Sequence, residues 1–535
     1  MDVTGRILDL LARHRATEAA GLCAEHLARH PTDAGVMVLQ GLALAQSGDI
    51  IGAEARLLKA TDVDPSHCDA RVNLAILYRQ TGRTAEALVQ LRIAIEQGLC
   101  TPVQLNAIAA ALAELGAIDA AEAVYRRSLA AAKTFDAHKG LGDLLRRVGL
   151  RNEAGANYME AHRIDPRHVG VLHDLGSLLK ELGRDADAVT CYQMAVQLHD
   201  APLLWGSLAS VLARAQRFDE AEDAFARSLT PDIQGNGYRF NRALMWLALG
   251  RWREGFAEFE YRFACDGFPA APLPGPWWNG EPLDGRAIAL VGEQGIGDYI
   301  QFARYATEAK RRGGHVIIAN AGFLAPLLAT VPGVDEVHPG VPPRYDVQAP
   351  FMSLPHILGT TPETVPAEVP YLSIDPALVA KFADHYAGLS GRRVGIAWRG
   401  NPNNPVDIHR SIPLDRIETL TRIPGVSMVS LQKDPSPEEQ AWMAHRLHPY
   451  PGESMEDLGA IMHSLDLVIA VDTAVAHLAG ALARPLWLLL PWTPDWRWML
   501  DREDTPWYPT ARLFRQPRAG DWAAVIDRVG AALTA

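Results

Sequence analysis

Cysteine is scarce and stops early: Cys23, Cys68, Cys100, Cys191 and Cys265 are all that 535 residues contain. The second half therefore has neither a cysteine nucleophile nor a thiolate metal site, and the scatter fits a reducing compartment. Long apolar runs are missing too. The run around 485–492 has the length of a buried strand and falls well short of a membrane span. No basic segment leading into an apolar core and cleavage site opens the chain, so a cytoplasmic location is expected. Basic excess is absent: 51 Lys and Arg face 63 Asp and Glu, a net charge of −12 that argues against a nucleic-acid partner. The remainder, 48% hydrophobic and 21% charged, is ordinary for a soluble protein with room for three or four domains.

The chain does contain a period of about 34 residues, running from about residue 34 to 263. Small residues recur at Gly41, Ala75, Ala109, Gly142, Gly176, Ala209 and Ala243, and again at Ala53, Ala87, Ala121, Ala154, Ala188, Ala221 and Gly255. Large residues keep step at Leu57, Leu91, Tyr125, Tyr158, Tyr192, Phe225 and Phe259. Turn glycines follow at Gly48, Gly82, Gly116, Gly149, Gly183 and Gly250, with Gln216 in the missing place. A period of this length marks stacked helix pairs, in which small side chains admit a neighbouring helix and large ones fill the groove between. Pro65 and Pro166 stop two of the second helices. The pattern resembles the tetratricopeptide repeat over about seven units, with a degenerate pair before them at roughly 5–31. Such a solenoid implies a groove for a polypeptide; a rigid spacer or dimer interface is the alternative. The last unit carries Arg262 where earlier ones have Ala or Ser, then leads into a proline-rich connector holding Trp277 and Trp278.

From Arg286 the period gives way to short apolar runs alternating with helical stretches. Strands are expected at 287–292, 316–319, 393–398, 426–431, 465–471 and 486–490, with a helix at about 298–312. Strands alternating with helices predict parallel sheets covered on both faces. The expected organisation is a helical solenoid over 1–264, a connector over 265–285, and two α/β lobes over 286–390 and 391–535 with a cleft between them. Ligands of open α/β sheets sit beyond the carboxyl ends of strands, so the loops there carry the candidates.

The first loop, EQGIGD at 293–298, has Gly295 and Gly297 to let backbone amides approach a ligand, and Asp298 as helix N-cap or as general base. The second, at 471–483, sets Asp472 and Thr473 at a strand-to-helix turn that suits a phosphate, with His477 one turn along; an N-cap pair with a packed histidine is the plainer reading. The third, 399–411, supplies Arg399 and Arg410, whose guanidinium groups suit a leaving diphosphate. Gln432, after the strand at 426–431, is placed to edge a nucleoside.

Together the runs EQGIGDYIQFARY, WRGNPNN, RSIPL, SLQK, VDTAVAHLAGAL and PDWRWMLDREDTPWYPTARLFRQ resemble tetratricopeptide-fused bacterial glycosyltransferases. These are similar to glycosyltransferase family 9, which includes the lipopolysaccharide heptosyltransferases. The resemblance implies a GT-B fold of two Rossmann-like lobes and an inverting, metal-independent transfer needing no cofactor beyond the nucleotide-sugar substrate, with donor held mainly by the C-terminal lobe. It implies Asp298 as the catalytic carboxylate and Asp472, Thr473 and His477 as donor contacts. Arg410 stands where that family has a lysine, and Gln432 near a donor-binding glutamate. The aromatic cluster Trp496, Trp498, Trp507 and Tyr508 is particular to this branch; closing on donor or acceptor and packing between lobes are both open.

The implied reaction is sugar transfer to a protein hydroxyl presented by the repeats, with flagellin the first candidate acceptor. Transfer to a glycan or lipopolysaccharide, and a scaffold with a non-catalytic GT-B domain, are the alternatives.

Overall fold

The computed structural model describes residues 2–97, 100–230, 235–265, 268, 273–293, 295–401 and 407–535. Gln294 of the first candidate loop and 402–406 of the third lie outside them. The chain forms two compact units, Met1–Leu204 and Trp205–Ala535.

The first unit is helical throughout. The pairs Val3–Ala12 with Ala16–Arg29 and Ala34–Gln46 with Ile50–Val63 open a series that ends with Val169–Glu181 and Asp185–Leu198. Caps written in the sequence start several of these helices: the Asp33 carboxylate accepts the Val36 N–H at 3.0 Å, and Thr101 and Gln104 form a reciprocal capping box ahead of Pro102. The turn glycines all have positive φ, between 72° and 90°, which a glycine adopts without Cβ strain. Gln216 takes the same conformation at φ 58°, and His14 at φ 56° extends the row back into the degenerate first pair. The small and large rows meet as expected. A Cβ added at Gly41 would stand 2.7 Å from Leu57, and at Gly142 2.8 Å from the Tyr158 ring.

The second unit begins within the helix Pro202–Arg214 and contains the last helix pairs, ending in Trp252–Phe259 and a 3-10 turn at Glu260–Ala264. Two sheets follow. The first holds β1 (Ala287–Val291), β2 (His315–Ala319), β3 (Glu336–Val337) and β4 (Val347–Pro350) in the order β3-β2-β1-β4. The second holds β5 (Arg392–Ala397), β6 (Val426–Ser430), β7 (Leu467–Val471), β8 (Leu486–Leu490) and β9 (Ala511–Arg515) in the order β6-β5-β7-β8-β9. Every pairing in both sheets is parallel. The order reverses between β1 and β4 in one sheet and between β5 and β7 in the other, and a crevice opens beyond the strands at such a reversal.

Three strands, β3, β4 and β9, go beyond the sequence expectation. β4 is four residues long with Gln348 buried in it, and β9 carries arginines on its edge, so neither reads as an apolar run. The first-lobe helix also starts earlier than expected, at Ile296, and breaks into a 3-10 turn at Ala303–Tyr305 before resuming at Ala306–Arg311.

The period ends near 264, but the compact division comes sixty residues sooner, at 204/205. The reason is a shared core. Trp252, Phe256 and Phe259 of the last helix pair are buried in one cluster with Trp278, Ile288, Phe302, Trp496 and Trp507. Trp252 stacks on Trp507 with centroids 5.1 Å apart, and such aromatic pairs add about 0.5–1.5 kcal/mol beyond their buried area. The proline-rich connector joins in where it is described: the Trp278 N–H donates to the Gln348 carbonyl at 2.8 Å, and its side chain is buried.

The rows make one substitution act in opposite directions. Gly142→Ala forces a methyl into the Tyr158 ring and is expected to destabilise by about 1–3 kcal/mol. Gly21→Ala, in the helix Ala16–Arg29 with open space around it, is expected to stabilise by about 0.5–1 kcal/mol. Denaturant unfolding of the full chain reads both; equal shifts would contradict the packing of the rows.

Candidate functional site

The first-lobe helix Ile296–Phe302 and the second-lobe helix Ala474–Ala481 touch where one of them has no side chain. A Cβ at Gly297 would lie 2.8 Å from the His477 ring. Gly297, expected to admit a ligand to the backbone, is instead glycine because His477 fills the space. Gly292 is held open in the same way: a Cβ there would fall inside the Tyr299 ring, whose hydroxyl donates to the Asn320 carbonyl at 2.8 Å.

That contact brings Asp298 to the seam between the two sheets. Asp298 is not the N-cap; Gly295 is, and Asp298 reaches back from the first turn to accept the Gly295 N–H at 2.7 Å. Gly295 is exposed, but its amide is already engaged by this bond. The other Asp298 oxygen pairs with the Arg497 guanidinium of the second lobe. Arg497 also donates to Gln301 Oε1 at 2.7 Å and to Asp495 Oδ1 at 2.9 Å. Burial pushes the Asp298 carboxyl up, against the pull of Arg497 and the Gly295 N–H.

Asp472 and Thr473 occupy the turn after β7, as the sequence places them. The Asp472 carbonyl accepts from Arg410 at 2.9 Å, and its carboxylate lies 3.8 Å from His477 Nε2. Burial, reinforced by Asp495, pushes the Asp472 carboxyl up to about 6. Thr473 is the N-cap of Ala474–Ala481 without a side-chain capping bond; its hydroxyl reaches the Val471 carbonyl at 3.3 Å. His477 is buried, bonded through Nδ1 to the Tyr508 hydroxyl at 2.9 Å and stacked on Trp498.

Arg410 reaches the Asp472 turn while its Nε donates to the Asp407 carboxylate at 3.0 Å, and two other candidates are committed to their own loop. Arg399 makes a side-on pair with Glu439, both bonds at 2.6 Å, and donates to the Asp434 carbonyl at 2.7 Å. Gln432, expected to edge a nucleoside, accepts the N–H groups of Trp398 and Arg399 and donates to the carbonyls of Arg399 and Lys433. Both side chains brace the loop after β5. The aromatic cluster takes the packing role: Trp496, Trp498, Trp507 and Tyr508 are all buried.

Two residues that sequence reasoning left unassigned hold the seam together. Arg497 is one. Arg304 is the other: fully buried, it donates to the Trp507 carbonyl at 2.7 Å, the Tyr371 hydroxyl at 2.9 Å and the Pro366 carbonyl at 3.1 Å. Both lie inside the runs quoted above, and an arginine flanked by large aromatics in an apolar stretch was the available signal. Among the described residues no group of three His, Cys, Asp or Glu side chains is disposed to hold a metal ion, and no helix is long and apolar enough to cross a membrane.

The helix pairs are tetratricopeptide repeats: the sequence profile of that repeat matches residues 38–98 and 173–238. The chain therefore contains tetratricopeptide repeats, and its second unit adds two parallel α/β sheets to the last helix pairs. It is similar to Protein FlbA of Caulobacter vibrioides, 28% identical over 465 residues that cover 74% of this chain and 77% of FlbA. Solved structures similar to the repeats include PilF of Pseudomonas aeruginosa (18% identity, 37% of this chain and 91% of that one, TM-score 0.32). YrrB, described as a tetratricopeptide-repeat protein with an unusual peptide-binding site, is another (17% identity, 34% and 94%, TM-score 0.29).

His477 generates a pH prediction. Burial, with Arg497, Arg304 and Arg410 nearby, holds its ring well below the ordinary 6.5. As pH falls through 6.5 the unfolded chain takes up a proton that the folded chain refuses. This contribution to stability is intact above that value and is lost below it by about 1.4 kcal/mol per pH unit. Denaturation midpoints between about pH 7 and about pH 5 should fall less steeply for His477→Asn than for the parent. Equal slopes would mean that the folded chain protonates His477.

Proposed function

We propose that this protein is an inverting, metal-independent glycosyltransferase of GT-B type, moving a sugar from a nucleotide-sugar donor to a protein hydroxyl brought by the repeats. The observation that carries this reading is the contact between the helix that bears Asp298, after β1, and the helix that begins at Thr473, after β7, beyond the reversal points of two parallel sheets. Asp298 serves as general base. On donor and acceptor binding its bond to Arg497 gives way, the carboxylate takes the acceptor proton, and the acceptor oxygen attacks the anomeric carbon. The bond from that carbon to the phosphate oxygen breaks, and the electron pair leaves with the nucleotide.

Arg497, Arg410 and the first amides of Ala474–Ala481 neutralise the charge that builds on the departing phosphate. A base in this position contributes about 10²–10⁴-fold. A carboxyl pushed up by burial is a better base than an exposed aspartate. Repeats that grip a polypeptide tether its serine and threonine hydroxyls to the chain that carries the cleft and so raise their effective concentration. Flagellin is the first acceptor to test.

A second reading, a repeat scaffold with a non-catalytic α/β region, is favoured by the occupied state of Asp298 and by the internal pairing of Arg399 and Gln432. Nucleotide-sugar turnover separates the two. With a donor found by thermal shift, Asp298→Asn should keep donor affinity, retain the bond to the Gly295 N–H and lose at least about 10²-fold in kcat. The parent's kcat should also fall on the acid side at a pH above the ordinary aspartate range, because Asp298 must be ionised to act. Near-normal turnover by Asp298→Asn removes that residue from the mechanism; no turnover of any donor by the parent favours the scaffold.

A further inference from the structure

One position in the repeats breaks its own rule. Ala60, Ala94, Ser128, Ala161, Ala195 and Ser228 are small and buried; the next in the row is Arg262, 0% exposed. An unpaired arginine there would cost several kcal/mol, so its partners must account for it. It donates to Glu293 from Nε at 2.7 Å and from Nη2 at 2.9 Å, to Glu260 from Nη1 at 2.7 Å, to the Phe259 carbonyl at 3.2 Å, and to Ser353 Oγ at 2.7 Å. All five N–H groups are used. Ser353 closes the ring by donating to Glu260 at 2.8 Å, and the guanidinium lies 4.0 Å from the Phe263 ring centre.

Glu293 matters because of where it stands. Its side chain is 1% exposed, and it follows β1 by two residues at the head of the turn that ends in Asp298. Asp298 holds the far end of that turn through Gly295 and Arg497. The near end is held by Arg262, a residue of the last repeat, through two bonds to the Glu293 carboxylate. A bolt serving only to dock the repeats has no need to end on this turn, since apolar contacts among Trp252, Phe256, Trp496 and Trp507 already do that.

We propose that Arg262 is a positioning residue: through Glu293 the last repeat fixes the turn that presents Asp298 to the cleft. The repeats then act on the chemistry as well as holding a partner. The meaning of Asp298 rests on the transferase reading, but the link between Arg262 and the turn does not.

The test uses the full chain in three variants. Arg262→Lys keeps the charge but cannot form the forked bonds, and Glu293→Gln removes the charge the fork grips. Arg242→Ala, which cuts the 2.8 Å pair with Glu258 in the same helix pair, is the control for general weakening. Hydrogen exchange at amides 295–298 is expected to quicken at least about tenfold in the first two, with no change in β7 and none at 295–298 in the control. Where the parent turns over donor, the first two should lose about 10²-fold in kcat at unchanged donor Kd, the scale of a one-ångström misplacement. Unchanged exchange at 295–298, or equal change in the control, overturns the proposal; so does faster exchange with parental kcat. If the parent turns over no donor, the transferase reading falls and exchange alone decides the role of Arg262.

Discussion

Everything at the seam follows from one steric fact: two helices from different sheets can touch only because Gly297 has no Cβ and His477 takes its place. The contact brings a carboxylate of one sheet within reach of an arginine of the other, and burial then strengthens every charge interaction there. Arg497 reaches Asp298, Asp495 and Gln301 from a single guanidinium. Arg304 ties the backbone of both sides. A larger residue at 297 would part the helices and leave the charges in the seam without partners, which is costlier than the lost packing.

The repeats were legible because their geometry is local. Helix pairs, turn glycines and the meeting of small with large rows all lie within one period. The seam was legible only in outline. Asp472 and Thr473 sit at a strand end, and Asp298, His477 and Arg410 in the helices that follow strands, which the alternation of apolar runs locates. Their partners are far away in sequence: Arg497 is 199 residues from Asp298, and Trp507 is 203 from Arg304. Nothing local marks such pairs. Gly297 shows the same limit from the other side, since a sequence reveals that a side chain is missing but not what fills the gap. Arg399 and Gln432 carry groups suited to a ligand that the fold spends on its own loop. β4 and β9 do not stand out in the sequence because a buried glutamine and two arginines interrupt their apolar character.

The aromatics show how a charged seam is kept dry. Trp252 and Phe256 cover Trp496 and Trp507 from the side of the repeats, while Trp498 and Tyr508 flank His477. Water kept away from His477 is what holds it neutral. The last helix pair is thus part of the wall of the site, which explains why the compact division does not fall where the period ends.

Gln216 carries a consequence for how such an array changes its length. In the place of a turn glycine it holds a left-handed backbone and donates to the Trp492 carbonyl at 2.8 Å, just beyond β8. A glycine turn is interchangeable with its neighbours, whereas this one is addressed to a single site on the second sheet. The bond that makes that address involves no residue of the helix pairs ahead of it. Behind it the spacing to the second sheet is set by that bond, so an extra module inserted there would pull Gln216 from its acceptor.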